Sequence, residues 1–249
     1  MSELVQQVVI LAGGLGTRLA ERTKLRPKPL MPVAGKPYLE WQIELLKESG
    51  FRDLLLLTGY LAEQIENHFR DGSQWHVRIA YSRELKSLGT AAALKLARPK
   101  LQEKFLVMNG DTFFPFDYSA FIRRAVERDD CVWMVVVPGR CLAPNAPRGN
   151  VCLDVDGERV VRYVRGGRDD LDFVHAGMFV LARSQLSLMG SEEGLALEAA
   201  LYPPLIELGL LRAFVCQERF FDMGTPQQLD ELEAFLSRKK ARERQQNSN

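Results

Sequence analysis

The run Leu11-Ala12-Gly13-Gly14-Leu15-Gly16-Thr17-Arg18-Leu19 gathers residue types that suit an anion. Glycines allow a tight turn in which backbone N–H groups approach a negative ligand with no Cβ in the way. Arg18, and Lys28 in Pro27-Lys28-Pro29-Leu30, add two positive charges beside the same loop. Proline on both sides of Lys28 restricts the backbone, so its ammonium is aimed with less loss of entropy. A purely structural turn needs neither an arginine nor a proline-flanked lysine, and together these residues read as a phosphate site. The spacing Gly14-x-Gly16-x-x-Leu19 lacks the third glycine of the dinucleotide fingerprint, and no Walker lysine follows, so a nicotinamide dehydrogenase ranks far behind. Two later carboxylates stand at comparable places. Asp111 follows the apolar run Phe105–Met108, just past a strand end, where ligand sites of open α/β sheets gather. Asp222 precedes Met223-Gly224-Thr225-Pro226. Read alone, Asp111 equally suits a loop aspartate bonding its own backbone, and Asp222 a helix-entry carboxylate.

The elements that must hold these residues can be read from apolar spacing. Val8–Leu11 is a buried strand, and 37–49 a helix with Leu39, Ile43 and Leu46 on one face. Residues 53–58 form a continuous apolar run, as in a strand covered on both faces. A helix over 61–70 and an alternating, edge-like strand around Val77, Ile79 and Tyr81 follow, then a helix over 88–97 with Thr90 as its N-cap. Strand 105–108, helix 118–128 and strand 132–137 complete a strand–helix alternation, which predicts a doubly wound, mostly parallel sheet. Beyond Pro138 the texture changes. Pro144, Pro147 and Gly149 mark an irregular connection, and Asp156-Gly157 joins 151–155 and 160–164 as a hairpin. Strand 173–181, a helix over 195–208 broken at Pro203-Pro204, strand 212–216 and a closing helix capped by Thr225 follow. The expected organisation is one domain over 1–237, in two parts, 1–137 and 138–224. The charged stretch 238–249 is expected to be a frayed tail.

Among 249 residues, 46% are hydrophobic, enough to bury a core, and the net charge of +1 gives no pull toward nucleic acid or an anionic membrane. No run approaches the roughly 18–20 apolar residues of a membrane helix, and the polar start Met1-Ser2-Glu3 does not read as a leader. A cytoplasmic protein is expected. Cys131, Cys141, Cys152 and Cys216 form no Cys-x-x-Cys pair and are expected to be reduced and mostly buried.

The loop 11–19 with Pro27-Lys28-Pro29-Leu30, and after it Leu88-Gly89-Thr90, Asn109-Gly110-Asp111 and Asp222-Met223-Gly224-Thr225-Pro226, resembles the sugar-1-phosphate nucleotidyltransferases, in order and up to the tail. The resemblance implies a Rossmann-like, GT-A-like fold: a doubly wound sheet flanked by helices, with a small β-rich insertion for the sugar, so that 1–137 would serve mainly the nucleotide and 138–224 mainly the sugar phosphate. It implies a reaction in which a sugar 1-phosphate attacks the α-phosphorus of a nucleoside triphosphate and pyrophosphate leaves. It also implies roles. Leu11, Ala12, Gly13, Gly14, Gly16 and Thr17 would cradle the nucleotide, with Gly89 and Thr90 near the base. Arg18 would hold the departing phosphates, Lys28 would bridge the reacting ones, and Asp111 and Asp222 would be the Mg²⁺ ligands. Gly149 and Glu198 would touch the sugar. The chain departs from the family in two places. Thr90-Ala91-Ala92-Ala93 stands where Thr-Gly-Gly is usual, and Val164-Arg165-Gly166-Gly167-Arg168 stands where a Glu-Lys pair is usual. Arg165 or Arg168 would replace that charge, against the plainer reading of both as surface arginines. Glu198 competes with an exposed helix glutamate, and His175 reads as a satisfied core histidine.

Within the family, Asn109-Gly110-Asp111-Thr112-Phe113-Phe114 most resembles the manno-heptose 1-phosphate guanylyltransferases, with the N-acetylmuramate 1-phosphate uridylyltransferases next. The expected partners are therefore a nucleoside triphosphate, GTP before UTP, and a sugar 1-phosphate, with neither nucleic acid nor membrane. Monomer and homo-oligomer stay equally open. A non-catalytic nucleotide-sugar-binding regulator is the alternative from another class, and retention of both carboxylates speaks against it.

Overall fold

The computed structural model describes residues 5–16, 25–128, 130–142, 148–190 and 194–246. Strand Gln7–Leu11 (β1) is followed by the small hairpin Pro32–Val33 (β2) and Lys36–Pro37 (β3) and by helix Tyr38–Glu48 (α1). Then come Asp53–Thr58 (β4), Ala62–Phe69 (α2), Arg78–Arg83 (β5), Thr90–Leu96 (α3), Lys104–Asn109 (β6) and the two-residue strand Thr112–Phe113 (β7). The second half holds Tyr118–Glu127 (α4), Val132–Pro138 (β8), Val151–Leu153 (β9), Val160–Tyr163 (β10) and Phe173–Ala182 (β11). It ends with Leu197–Glu207 (α5), Leu211–Val215 (β12), Phe221–Asp222 (β13) and Pro226–Gln246 (α6).

The main sheet orders its strands β10-β9-β11-β6-β1-β4-β5, with β8 beside β11 and β12 beside β8. Strands β6, β1, β4 and β5 are parallel, and β5 lies at the edge as its alternation predicts. Val8, Val9 and Ile10 expose no surface, and burying each stabilises the strand by about 1.5–3 kcal/mol. The apolar run of β4 divides between the two faces: Leu54 and Leu56 pack with α1, α2, α4 and α6, while Leu55 and Leu57 pack with α3 and α5. This two-sided cover is the doubly wound arrangement. It is mixed rather than uniformly parallel, because β11 runs antiparallel between β6 and β8. An apolar run carries no information on direction, so the next strand in sequence need not be the next in the sheet.

Three local expectations change. Helix α5 continues through Pro203 and Pro204 instead of breaking. Two N–H donors are lost there, but Leu201, Tyr202 and Leu205 are fully buried and hold the helix against the sheet. Thr90 does not cap α3: Gly89 is the cap residue, and the Thr90 hydroxyl instead accepts from the Leu197 backbone N–H at 2.7 Å, tying α3 to α5. Helix α6 runs on to Gln246 where a tail from Arg238 is expected. Lys, Arg, Ala, Glu and Gln are good helix formers, and the side chains of Lys240 and Lys239 reach the Ala34 carbonyl and Glu48. Thr225 does cap this helix, its hydroxyl accepting from the Gln228 backbone N–H. All four cysteines are free thiols, with Cys131 and Cys216 buried and Cys141 and Cys152 half-buried. The connection at Pro144 and Pro147 lies outside the described residues. Among the described residues no helix is long and apolar enough to cross a membrane.

Candidate active site

Parallel strands β1, β4 and β6 end at the same edge of the sheet, and the glycine loop leaves β1 there. The Ala12 N–H bonds Leu57 O at 2.9 Å and the Gly110 N–H bonds Leu11 O at 3.1 Å, so the loop is fastened to both neighbours. Above this edge lies a cavity of about 340 Å³. Leu11, Ala12, Gly13, Gly14 and Gly16 line one side of it. Lys28, Gly89, Thr90, Asn109 and Asp111 line others. Thr17 and Arg18 fall outside the described residues. Gly89 must be glycine on two counts: its φ is +80°, and a Cβ would stand 2.6 Å from Leu195 O.

The carboxylates are brought together by a pairing that sequence periodicity cannot reveal. Strands β7 and β13, two residues each, pair antiparallel with Thr112 opposite Asp222. The Thr112 hydroxyl donates to Asp222 Oδ1 at 2.8 Å, and the Met223 N–H donates to Asp111 O at 3.1 Å. Asp111 and Asp222 thus flank one short ladder at the cavity edge. Lys28 lies in a single helical turn, Lys28–Leu30, and its Nζ meets Asp111 Oδ2 at 2.6 Å. Among the described residues no three His, Cys, Asp or Glu side chains converge into a complete cation cage. Two aspartates supply hard oxygen ligands and leave other positions for phosphate and water, which is the donor set Mg²⁺ accepts. The residues fit that ion.

Glu84 also lines the cavity and carries no motif that would single it out. Its Oε2 accepts from the Leu88 N–H at 3.0 Å. Its Oε1 lies so close to Gly13 and Gly59 that a Cβ on either would meet it, at 3.1 and 2.7 Å. The glycine at 13 therefore serves the seating of this carboxylate as well as the turn.

On the sugar side the expected residues separate. Gly149 packs against the chain itself: a Cβ there would lie 1.7 Å from Leu171 O, so a glycine is required without any ligand. Arg168 is exposed and holds Asp170 at 2.8 Å, sharing it with Arg162. Arg165 is exposed, and its charge opposes the rise of the Tyr163 hydroxyl, which burial and Glu198 push up to about 12. Glu198 is half-buried in the first turn of α5 and acts on Tyr163, His175 and Tyr202. None of these four lines the cavity described above.

His175 is a buried, satisfied residue, as its strand context predicts. Its ring faces Met178 O and the Tyr202 hydroxyl, each at 3.3 Å from Nε2. Burial lowers its pKa below the ordinary 6.5, with Glu198 opposing. The folded state therefore resists a proton that the unfolded chain accepts, and stability falls as pH drops below about 6.5, by at most about 1.4 kcal/mol per pH unit from this group. Urea unfolding at pH 7.5 and 5.5 should show a smaller acid loss in His175→Asn than in the wild type. An equal loss in both would contradict this assignment.

The glycine loop and the Lys28–Asp111 pair stand at the carboxyl ends of parallel strands, with Asp222 in the short ladder beside them, which is where open α/β sheets bind their ligands. The chain matches the nucleotidyl transferase family over residues 7–239 and belongs to it. It is 31% identical over 227 residues to the mannose-1-phosphate guanylyltransferase catalytic subunit beta of Danio rerio, covering 88% of this chain and 61% of that longer one. It is 29% identical over 221 residues to the D-glycero-alpha-D-manno-heptose 1-phosphate guanylyltransferase of Campylobacter jejuni, covering 89% of this chain and 96% of that one. To the N-acetylmuramate alpha-1-phosphate uridylyltransferase of Neisseria meningitidis it is 35% identical over 179 residues, covering 70% and 74%. The crystal structure of HddC from Yersinia pseudotuberculosis complexed with GMP-PN superimposes with a TM-score of 0.79 at 28% identity, over 93% of this chain and 100% of that one.

Proposed function

We propose that the protein transfers a guanylyl group from GTP to a manno-configured heptose 1-phosphate and releases pyrophosphate. The observation that carries this reading is the convergence of the glycine loop, Lys28 and Asp111 on one cavity, with Asp222 paired beside it. An oxygen of the sugar phosphate attacks the α-phosphorus. The bond from that phosphorus to the oxygen bridging to the β-phosphate breaks, and pyrophosphate carries away the electron pair. The attacking oxygen is already anionic, so no side chain need take a proton. Rate then comes from positioning and from neutralising crowded negative charge. Backbone N–H groups of 13–16 would hold the triphosphate, since the Ala12 N–H is spent on Leu57 O. Lys28, which neutralises Asp111 in this structure, would swing its ammonium onto the reacting phosphates, and Arg18 would hold the departing ones. Mg²⁺, held by Asp111 and Asp222, would supply positive charge at the α-phosphate.

The base preference is supported by Glu84. Guanine presents adjacent N1–H and N2–H₂ donors, which a carboxylate accepts together. Uracil offers one N–H between two carbonyl oxygens, which a carboxylate repels. Glu84→Gln should cut kcat/KM for GTP by about tenfold to a hundredfold and leave UTP unchanged or improved. An unmoved GTP to UTP ratio would remove the base assignment and leave the reaction class standing. The heptose is supported by the Campylobacter relative, whose whole length this chain nearly spans. On the sugar side, Glu198 and Arg165 are the favoured contacts, since Arg168 and Gly149 are engaged within the chain. Pyrophosphate release, measured for each nucleoside triphosphate against a panel of sugar 1-phosphates with Mg²⁺, tests the whole reading.

A further inference from the structure

Helix α1 carries a polar pair on its buried face that the reaction above does not use. Gln42 exposes no surface, yet it stands among Leu39, Ile43 and Leu46. Its Nε2 donates to Asn109 O at 2.9 Å and to Thr112 O at 3.1 Å, so one amide grips both ends of the turn that carries Asp111. Its Oε1 is buried and has no hydrogen-bond partner among the described residues. One helical turn earlier, the Tyr38 hydroxyl is also fully buried and likewise without a partner. Burial first, then the charges of Asp111 and Asp222, push that hydroxyl well above its ordinary pKa. Buried polar atoms are nearly always satisfied, and two orphans one helical turn apart, one of them on the amide that holds the Asp111 turn, ask for a common cause.

We infer that Tyr38 and Gln42 are positioning residues for the cation site. Gln42 fixes the Asn109–Thr112 turn, and the Tyr38 hydroxyl, free to donate, would support the carboxylates that hold the cation. The inference rests on the reading of Asp111 and Asp222 as cation ligands. Groups in this outer layer orient the ligands and commonly alter metal affinity by about 10–100-fold when removed.

Mn²⁺ binding, followed by electron paramagnetic resonance without nucleotide or sugar, gives a readout separate from turnover. Tyr38→Phe removes one oxygen and should fold as the wild type does, with an unchanged or raised melting temperature because an unsatisfied hydroxyl is gone. Its Mn²⁺ affinity should fall by about tenfold or more, and Gln42→Met should fall at least as far. Wild-type affinity in Tyr38→Phe and in a folded Gln42→Met would overturn the inference. Should Gln42→Met fail to fold, Tyr38→Phe decides alone. Asp111→Asn is the reference: if the wild type binds Mn²⁺ no better than that variant, the cation-site reading fails, and the inference with it.

Discussion

Asp111→Ala is expected to lower nucleotidyl transfer by about three orders of magnitude while the protein stays folded. Removing a single preorganised electrostatic contact at a reacting centre commonly costs about 10²–10³ in rate, and Asp111 serves two. It is one of the two carboxylates proposed to hold a cation, and it is the partner that keeps Lys28 beside the site at 2.6 Å. The fold should survive, because the Asp111 backbone and not its side chain accepts from the Met223 N–H. Lys28, freed of its partner, has a long flexible stem that can carry the ammonium toward water. Pyrophosphate release and thermal unfolding, measured on the same preparation, separate the two quantities. Turnover near the wild-type level would contradict the role given to Asp111.

Gly110→Ala should damage stability and turnover together. A Cβ at Gly110 would lie 2.5 Å from Leu11 O and 3.1 Å from Leu11 C, atoms of the β1 backbone that cannot rotate away. The end of β6 would have to move off β1, stretching the Gly110 N–H to Leu11 O bond that fastens the two strand ends. Overpacking of this kind costs about 1–3 kcal/mol, and a shift of about 1 Å at a catalytic group costs on the order of 10² in rate. Gly14→Ala provides the contrast, since among the described residues nothing stands within 4 Å of the Cβ it would add. That variant should melt as the wild type does and lose affinity for the triphosphate only. Equal melting temperatures for the two variants would count against the close approach at Gly110.

Much of this architecture is legible in the chain because its signals are local. The glycine loop, the proline-flanked Lys28 and the apolar runs of β1, β4 and β6 each announce themselves within a few residues. The direction of β11 does not, because a buried apolar strand looks the same either way along the sheet, and only long-range pairing with β6 and β8 decides it. The ladder that joins Asp111 to Asp222 is two residues long, below any window in which alternation can be counted. Glu84 reaches the cavity from an irregular segment with no periodicity to mark it as special. Gln42 did leave a trace: a polar residue three positions after Leu39, on the face that α1 buries. Such a residue must be satisfied by something across the interface, and here that partner is the aspartate turn. The proline pair of α5 misleads for the opposite reason. Its local cost is real, but the packing of Leu201, Tyr202 and Leu205 outweighs it.

The most direct measurement follows the α-phosphate. GTP labelled at the α-phosphorus, incubated with the protein, Mg²⁺ and a manno-configured heptose 1-phosphate, should transfer its label to a nucleotide-sugar with release of one equivalent of unlabelled pyrophosphate. Label that stays in bound, unconsumed triphosphate, with this sugar and with every other sugar 1-phosphate offered, would contradict nucleotidyl transfer and favour a protein that only binds the nucleotide.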